Sequence, residues 1–143
     1  MAAGTWQIYF TALQRLMDGT YDIDTNTWIA ALLDNAHTPN LAVHNDLTDV
    51  VGDEIADTDY ARVTLTSTTW DETNGIATFD AADIDFGTTV DIAARYCVIF
   101  ENVSEGLLCY LDLNDGGAAN VSSSASVFLI QIAATGIFTL NQT

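Results

Sequence analysis

Two short apolar runs flank a polar segment ending in Gly106 within residues 95–113, RYCVIFENVSEGLLCYLDL, and no other stretch constrains the chain as much. Both runs are rich in β-branched and aromatic residues and are bounded by turn formers, which predicts a β-hairpin through the middle of a sheet. Arg95 opens the first strand, where it can meet carboxylates. Cys97 and Cys109 fall on the two strands and can become near neighbours across them. In a reducing cytosol such a pair is expected to be buried thiols and not a bridge.

Ahead of the hairpin, Trp6, Tyr9, Phe10, Leu13, Leu16 and Met17 recur at spacings of three and four. This predicts a helix over 6–17, with Thr5 as its cap, Gly19 at its end, and one wide apolar face packed on a sheet. Residues 21–27, YDIDTNT, read as an acidic turn feeding an apolar strand over 28–33. Asp22, Asp24 and Asn26 have the spacing of the first three ligands of a calcium loop. Thr27 stands where that loop needs glycine, however, and Leu33 where it needs the bidentate Glu, so the match fails at its most diagnostic places.

Residues 34–59 hold the only proline and both histidines and show no regular pattern. Leu47, Val50, Val51 and Ile55 can form a short helical turn that plugs one end of the sheet, and the rest reads as loop, often a contact surface when this long. His37 and His44 lack a nearby cysteine or a helical-spaced histidine, so they read as exposed loop residues and not metal ligands.

From Tyr60 onward the pattern is strand and turn. Residues 61–70, ARVTLTSTTW, alternate as a strand with one wet face, and Asn74-Gly75 is a tight-turn signal leading into a strand over 76–80. Asp80, Asp83 and Asp85 then crowd a connector and read as a solvated acid patch, with a cation site as the alternative. A small hydrolase built on these aspartates and a divalent cation would lack a histidine, lysine or tyrosine close in sequence to complete it. After the central hairpin comes a turn at 112–117, a polar link at 122–126, and strands over 127–132 and 137–140. Residues 116–143 carry no charged side chain. Charge is depleted from interface cores, so these strands are expected to fill a sheet with part of the rim at a contact.

These elements predict a single mainly β domain over 1–143, an antiparallel β-sandwich or flattened barrel of about seven to eight strands with one N-terminal helix.

Charge narrows the function. Twenty Asp and Glu stand against Arg15, Arg62 and Arg95 with no lysine, a net of −17. A phosphate backbone must be met by a set of cations, so nucleic acid is not expected as a partner. No basic stretch precedes an apolar one at the start, and the longest uncharged segment is too interrupted to span a bilayer. No membrane association is expected, the product is expected to be made in a cytosol, and the sequons at Asn102, Asn120 and Asn141 have no meaning without secretion. There is no nucleophile elbow, glycine-rich phosphate loop or zinc spacing, so neither an enzyme nor a cofactor or metal is expected.

The segments DGTYDID, ALL, DYARVTL, NGIATFDAADIDF, RYCVIF, LLCYLDL and ATGIFTL, taken in this order, resemble a family of small tailed-bacteriophage virion proteins. The likeness covers nearly the whole chain, and its motifs are strand cores and turns. The resemblance implies a β-rich accessory structural protein, most often of the head, and it carries over no functional residue. The cysteines stand where the family is expected to have small apolar residues. A net of −17 would be repelled by packaged DNA, which puts a head protein of this composition on the outer surface. The expectation is a capsid decoration (cement) protein that binds the major capsid protein, as a trimer or dimer at a local symmetry axis. Leu41, Val43, Leu47, Val50 and Val51 in the loop, and Val127, Leu129, Ile137 and Phe138 in the C-terminal strands, are the expected contact residues. The alternative is a fibre or tail module that binds host surface glycans. Trp70 is its only candidate stacking platform, because Trp6 and Trp28 read as core.

Overall fold

In the computed structural model, which describes residues 2–141, strand β1 (Gln7–Ile8) precedes helix α1 (Phe10–Met17) and strand β2 (Trp28–Leu33). Two 3-10 turns, Leu47–Asp49 and Val51–Asp53, interrupt the loop that follows. Then come β3 (Val63–Thr64), β4 (Thr69–Thr73), β5 (Ile76–Asp80), β6 (Ile84–Asp85), β7 (Ala93–Ala94), β8 (Tyr96–Glu101) and β9 (Leu107–Asp112). The last are β10 (Val121–Ser122), β11 (Leu129–Ile130) and β12 (Phe138–Asn141). Gln142 and Thr143, which complete the sequon at Asn141, lie outside the described residues.

A five-stranded sheet in the order β1-β9-β8-β2-β3 is the centre, and every pairing in it is antiparallel. The hairpin of β8 and β9 forms where its sequence predicts it. Apolar runs with no alternation suit strands covered on both faces, and β2, β8 and β9 are such strands. Register puts Ala30, Ile99 and Cys109 in one row and Leu32, Cys97 and Leu111 in the next, all on one face. Ala31, Val98 and Tyr110, with Leu33 and Tyr96, occupy the other.

Each face has its own cover. Trp28 meets Phe79 of β5 edge-on, with ring centroids 6.1 Å apart, which joins the central sheet to the three-stranded sheet β12-β5-β4. On the opposite face a row of rings runs Tyr9, Tyr110, Tyr96, His37, His44, with neighbouring centroids 5.3–6.1 Å apart. Two small sheets, β10-β7 and β11-β6, complete the strands. The architecture is mainly β and sandwich-like, and no sheet closes into a barrel among the described residues.

The expected elements differ from the observed ones in instructive places. The helix begins at Phe10 and not at Trp6, because Gln7 and Ile8 are drawn into extended pairing with Tyr110 and Cys109 at the outer edge of β9. Tyr9, not Thr5, is the cap residue. Gly19 follows the helix with φ +80°, a conformation that glycine adopts without strain. Only part of the apolar face is covered: Tyr9 and Ala12 are buried, whereas Phe10, Leu13 and Met17 are exposed.

The strand expected over 61–70 divides at Ser67, φ +52°, where the chain leaves β2 to join β5. That division adds one strand, and the two-residue strands β1, β6, β7 and β10 form outside the expected ones, so twelve strands stand among the described residues where seven or eight are expected. The Asn74-Gly75 turn has both residues at positive φ, +56° and +78°, the pattern of a type I′ hairpin turn.

Candidate interaction surface

All three cations are engaged within the fold. Arg15 Nη1 donates to Tyr21 Oη and to the Asn45 carbonyl, and its Nη2 reaches Asp46 at 2.9 Å. Arg62 grips Glu54 with two hydrogen bonds, at 2.8 and 2.7 Å, while Tyr60 Oη donates to the same carboxylate at 2.6 Å. Arg95 holds Asp112 in the same forked manner. Such bidentate pairs are the strong kind of charge-assisted hydrogen bond. The Arg95 hydrogen bond holds Asp112 below the usual carboxylate range. Burial alone would raise Glu54, but the bonds from Arg62 and Tyr60 outweigh it and the net shift is downward.

Many of the carboxylates have a local structural task, accepting backbone N–H groups of loops. Ala93 donates to Asp57, Asp91 to Asp59, and Ala125 to Asp91. Glu101, buried at the end of β8, accepts from Val103 and Ser104 and so shapes the hairpin turn. Burial raises its pKa, and the Ser104 and Val103 bonds lower it by more. The acid patch of the connector disperses in the same way: Asp80 accepts from Ala81, Asp83 from Ile132 and Asp85 from Gly87. Asp22 and Asn26 bond each other across the 21–27 turn. Among the described residues no three His, Cys, Asp or Glu side chains gather in a geometry that could hold a metal ion. No helix among them is long and apolar enough to cross a membrane.

The histidines require a correction. His37 is buried, 4% exposed, with Nδ1 2.9 Å from Asp53 Oδ2 and its ring edge-on to Tyr96. His44 is half-buried beside it. The loop folds down over the Tyr96 face of the sheet, so its histidines are packing residues. Tyr96, against which His37 packs, lies far along the chain, and the sequence offers no periodic signal for that contact.

The expected contact residues separate into two groups. Leu47, Val50, Ile137 and Phe138 belong to the monomer's own core and present no side chain to a partner. Uncharged strand residues look alike whether they fill a core or an interface, which is why the sequence does not separate them. Val43, Val51, Val127 and Leu129 are exposed, and Leu41 is half-buried. Nor does the fold gather the loop and the C-terminal strands into one patch. The loop lies on the Tyr96 face, whereas β12 pairs with β5 in the layer on the Trp28 face. Trp70 is half-buried, with its ring 6.0 Å from that of Phe138.

A concavity lies on the Trp28 side, between the end of β9 and strands β10 and β11. It encloses about 470 Å3, and residues such as Leu111, Val121, Val127, Leu129 and Gln131 line it. None of its lining residues is charged. Exposed Val127 and Leu129 on its wall make it the best-formed candidate for a contact.

No family model, curated protein or solved structure matches this chain.

Proposed function

We propose that this protein is a structural component of a tailed-phage virion, a decoration or cement protein that binds the outer surface of the head through the major capsid protein. The observation that carries the reading is the engagement of Arg15, Arg62 and Arg95 with carboxylates of their own fold. With every cation internally paired and a net charge of −17, the exterior repels packaged DNA and suits the outside of a shell. The resemblance of its ordered strand and turn segments to small virion proteins supports the same assignment. A cement protein needs no chemistry. It adds buried area across shell subunits, and what binds the assembled state stabilises it by mass action. A symmetric trimer or dimer at a local axis would let one copy touch several subunits.

The test is thermal release of DNA from heads that lack the protein, before and after adding it back. Release at a lower temperature, restored by add-back, is expected. Identical release temperatures with and without the protein would overturn the reading. Quantitative mass spectrometry of the native particle adds a second check. Copy numbers near that of the shell protein, or one per local axis, fit decoration, and a handful per particle would place it on a fibre or tail.

A further inference from the structure

We propose that the uncharged groove beside β11 receives an extended apolar segment of a different protein chain, which adds to β11 as a strand and carries basic residues at its flanks. The groove stands without charge in a chain of twenty carboxylates, and Val127 and Leu129 lie open along it, 52% and 40% exposed.

The backbone supplies the second half of the argument. Among the described residues β11 pairs with β6 alone. Phe128 donates its N–H to the Gly87 carbonyl and accepts from the Phe86 N–H. Antiparallel pairing alternates the direction of successive residues' polar groups, so the N–H and C=O of Leu129 point away from β6. Residues 126–132 carry no charge and no proline, the usual guards of an open edge. An open edge beside an apolar trough is the arrangement in which a peptide adds as a strand, with backbone bonds giving affinity and alternate side chains entering the trough.

Charge selects the occupant. A second copy brings −17 against −17, and its arginines are all engaged. Its uncharged extended segments are also in use: Gly4 donates to the Asp112 carbonyl, and β12 is laddered to β5. A foreign strand with flanking cations meets no such repulsion, because it approaches a chain of net −17 whose own arginines are all engaged. The inference does not depend on the head-surface reading.

The test is selection of random linear peptides displayed on yeast against the full-length chain, with enriched clones measured on variants. Enriched peptides should alternate apolar residues between Lys or Arg flanks. Val127→Asp should weaken them by about tenfold or more, roughly 1.4 kcal/mol, and Val127→Ser should weaken them less. Val103→Asp, at an exposed site in the β8–β9 turn, should leave them unchanged. Melting curves verify that each variant is folded, and N-methylation of alternate peptide amides should abolish binding. The proposal is overturned if no peptide enriches, if enriched peptides are acidic or ignore Val127, or if N-methylation has no effect. It is also overturned if sedimentation reveals a dimer that Val127→Asp dissolves, since the occupant would then be a second copy.

Discussion

Arg95 grips Asp112 through two parallel 2.7 Å hydrogen bonds, Nε to Oδ1 and Nη2 to Oδ2, at the open end of the central hairpin. The same residue ties three strands through its backbone: its N–H donates to the Leu33 carbonyl and its carbonyl accepts from the Leu113 N–H. A lysine keeps the charge but cannot form the fork. Arg95→Lys should therefore lose about 2 kcal/mol, most of the effect of Arg95→Met, because Asp112 is left partly buried without its partner. At this chain length the melting temperature should fall by about 4–8 °C. Urea unfolding of the single variants, and of each combined with Asp112→Asn, checks the coupling. A lysine variant as stable as the parent would mean that charge alone matters.

Gly106 fills a gap that only a missing Cβ leaves open. A Cβ built there would collide with Tyr21 Oη and Arg15 Nη1; Arg15 joins helix α1 to the loop at Asn45 and Asp46, and Tyr21 Oη accepts from Arg15 and donates to the Leu107 carbonyl. Neither can withdraw without breaking that junction. Gly106→Ala should cost about 1–3 kcal/mol and raise amide exchange at Leu47 and Leu107, whose N–H groups bond across the junction. Exchange unchanged at those two amides would show that the junction absorbs the methyl.

How legible the fold is in the sequence depends on whether the deciding contacts are local. β2, the β8–β9 hairpin and the Asn74-Gly75 turn are read correctly, because an apolar run or a positive-φ dipeptide carries its own signal. The helix start is misread because Trp6 fits the helical period of Tyr9, Phe10 and Leu13, and only pairing of Gln7 and Ile8 with Tyr110 and Cys109, about a hundred residues away, decides for a strand. The acid patch is half legible. Asp85 accepting from Gly87 is a local turn habit of aspartate, but Asp83 accepting from Ile132 is a tertiary event. The uncharged strands over 127–132 and 137–140 carry no local mark that separates exposed Val127 and Leu129 from buried Phe138, whose burial depends on Phe79 and Trp70.

His37 gives stability a slope on the acid side. Burial pushes its pKa below the ordinary value and outweighs the pull of Asp53 and Asp34, while His44 adds to the lowering. The unfolded chain then takes up a proton near pH 6.5 that the native state refuses until lower pH. Stability from this group is complete above about pH 6.5 and declines as pH falls from there toward the lowered native value. His37→Gln keeps an N–H donor for Asp53 and cannot titrate. Its melting temperature should fall less than the parent's between about pH 7 and 5.5. Parallel curves would mean that another group sets the slope.

Cys97 and Cys109 are free, fully enclosed, and diagonal neighbours on the Trp28 face of the hairpin. Burial raises both thiol pKa values, and Cys97 raises that of Cys109 further. The thiolate is the reactive form, so neither should react with iodoacetamide at pH 8 until denaturant opens the core. Both should then react together at the global unfolding midpoint. Reaction of one thiol well below that midpoint would reveal local opening of the hairpin.

Salt acts on this protein in two opposing ways, and charge balance decides the sign. Screening weakens the pairs of Arg15, Arg62 and Arg95, yet it also relieves repulsion among a net seventeen negative charges. The forked pairs are short and partly shielded, whereas exposed residues such as Asp71, Glu72, Asp83 and Asp85 lie in water, where screening is strongest. The melting temperature should therefore rise from low salt to about 0.5 M sodium chloride, over which the Debye length shrinks to a few ångströms. Replacing Asp71 and Glu72 by Asn and Gln should raise stability at low salt and flatten the rise. A melting temperature that falls with salt would mean that the arginine pairs outweigh the repulsion, and that the acidic exterior does not strain the fold.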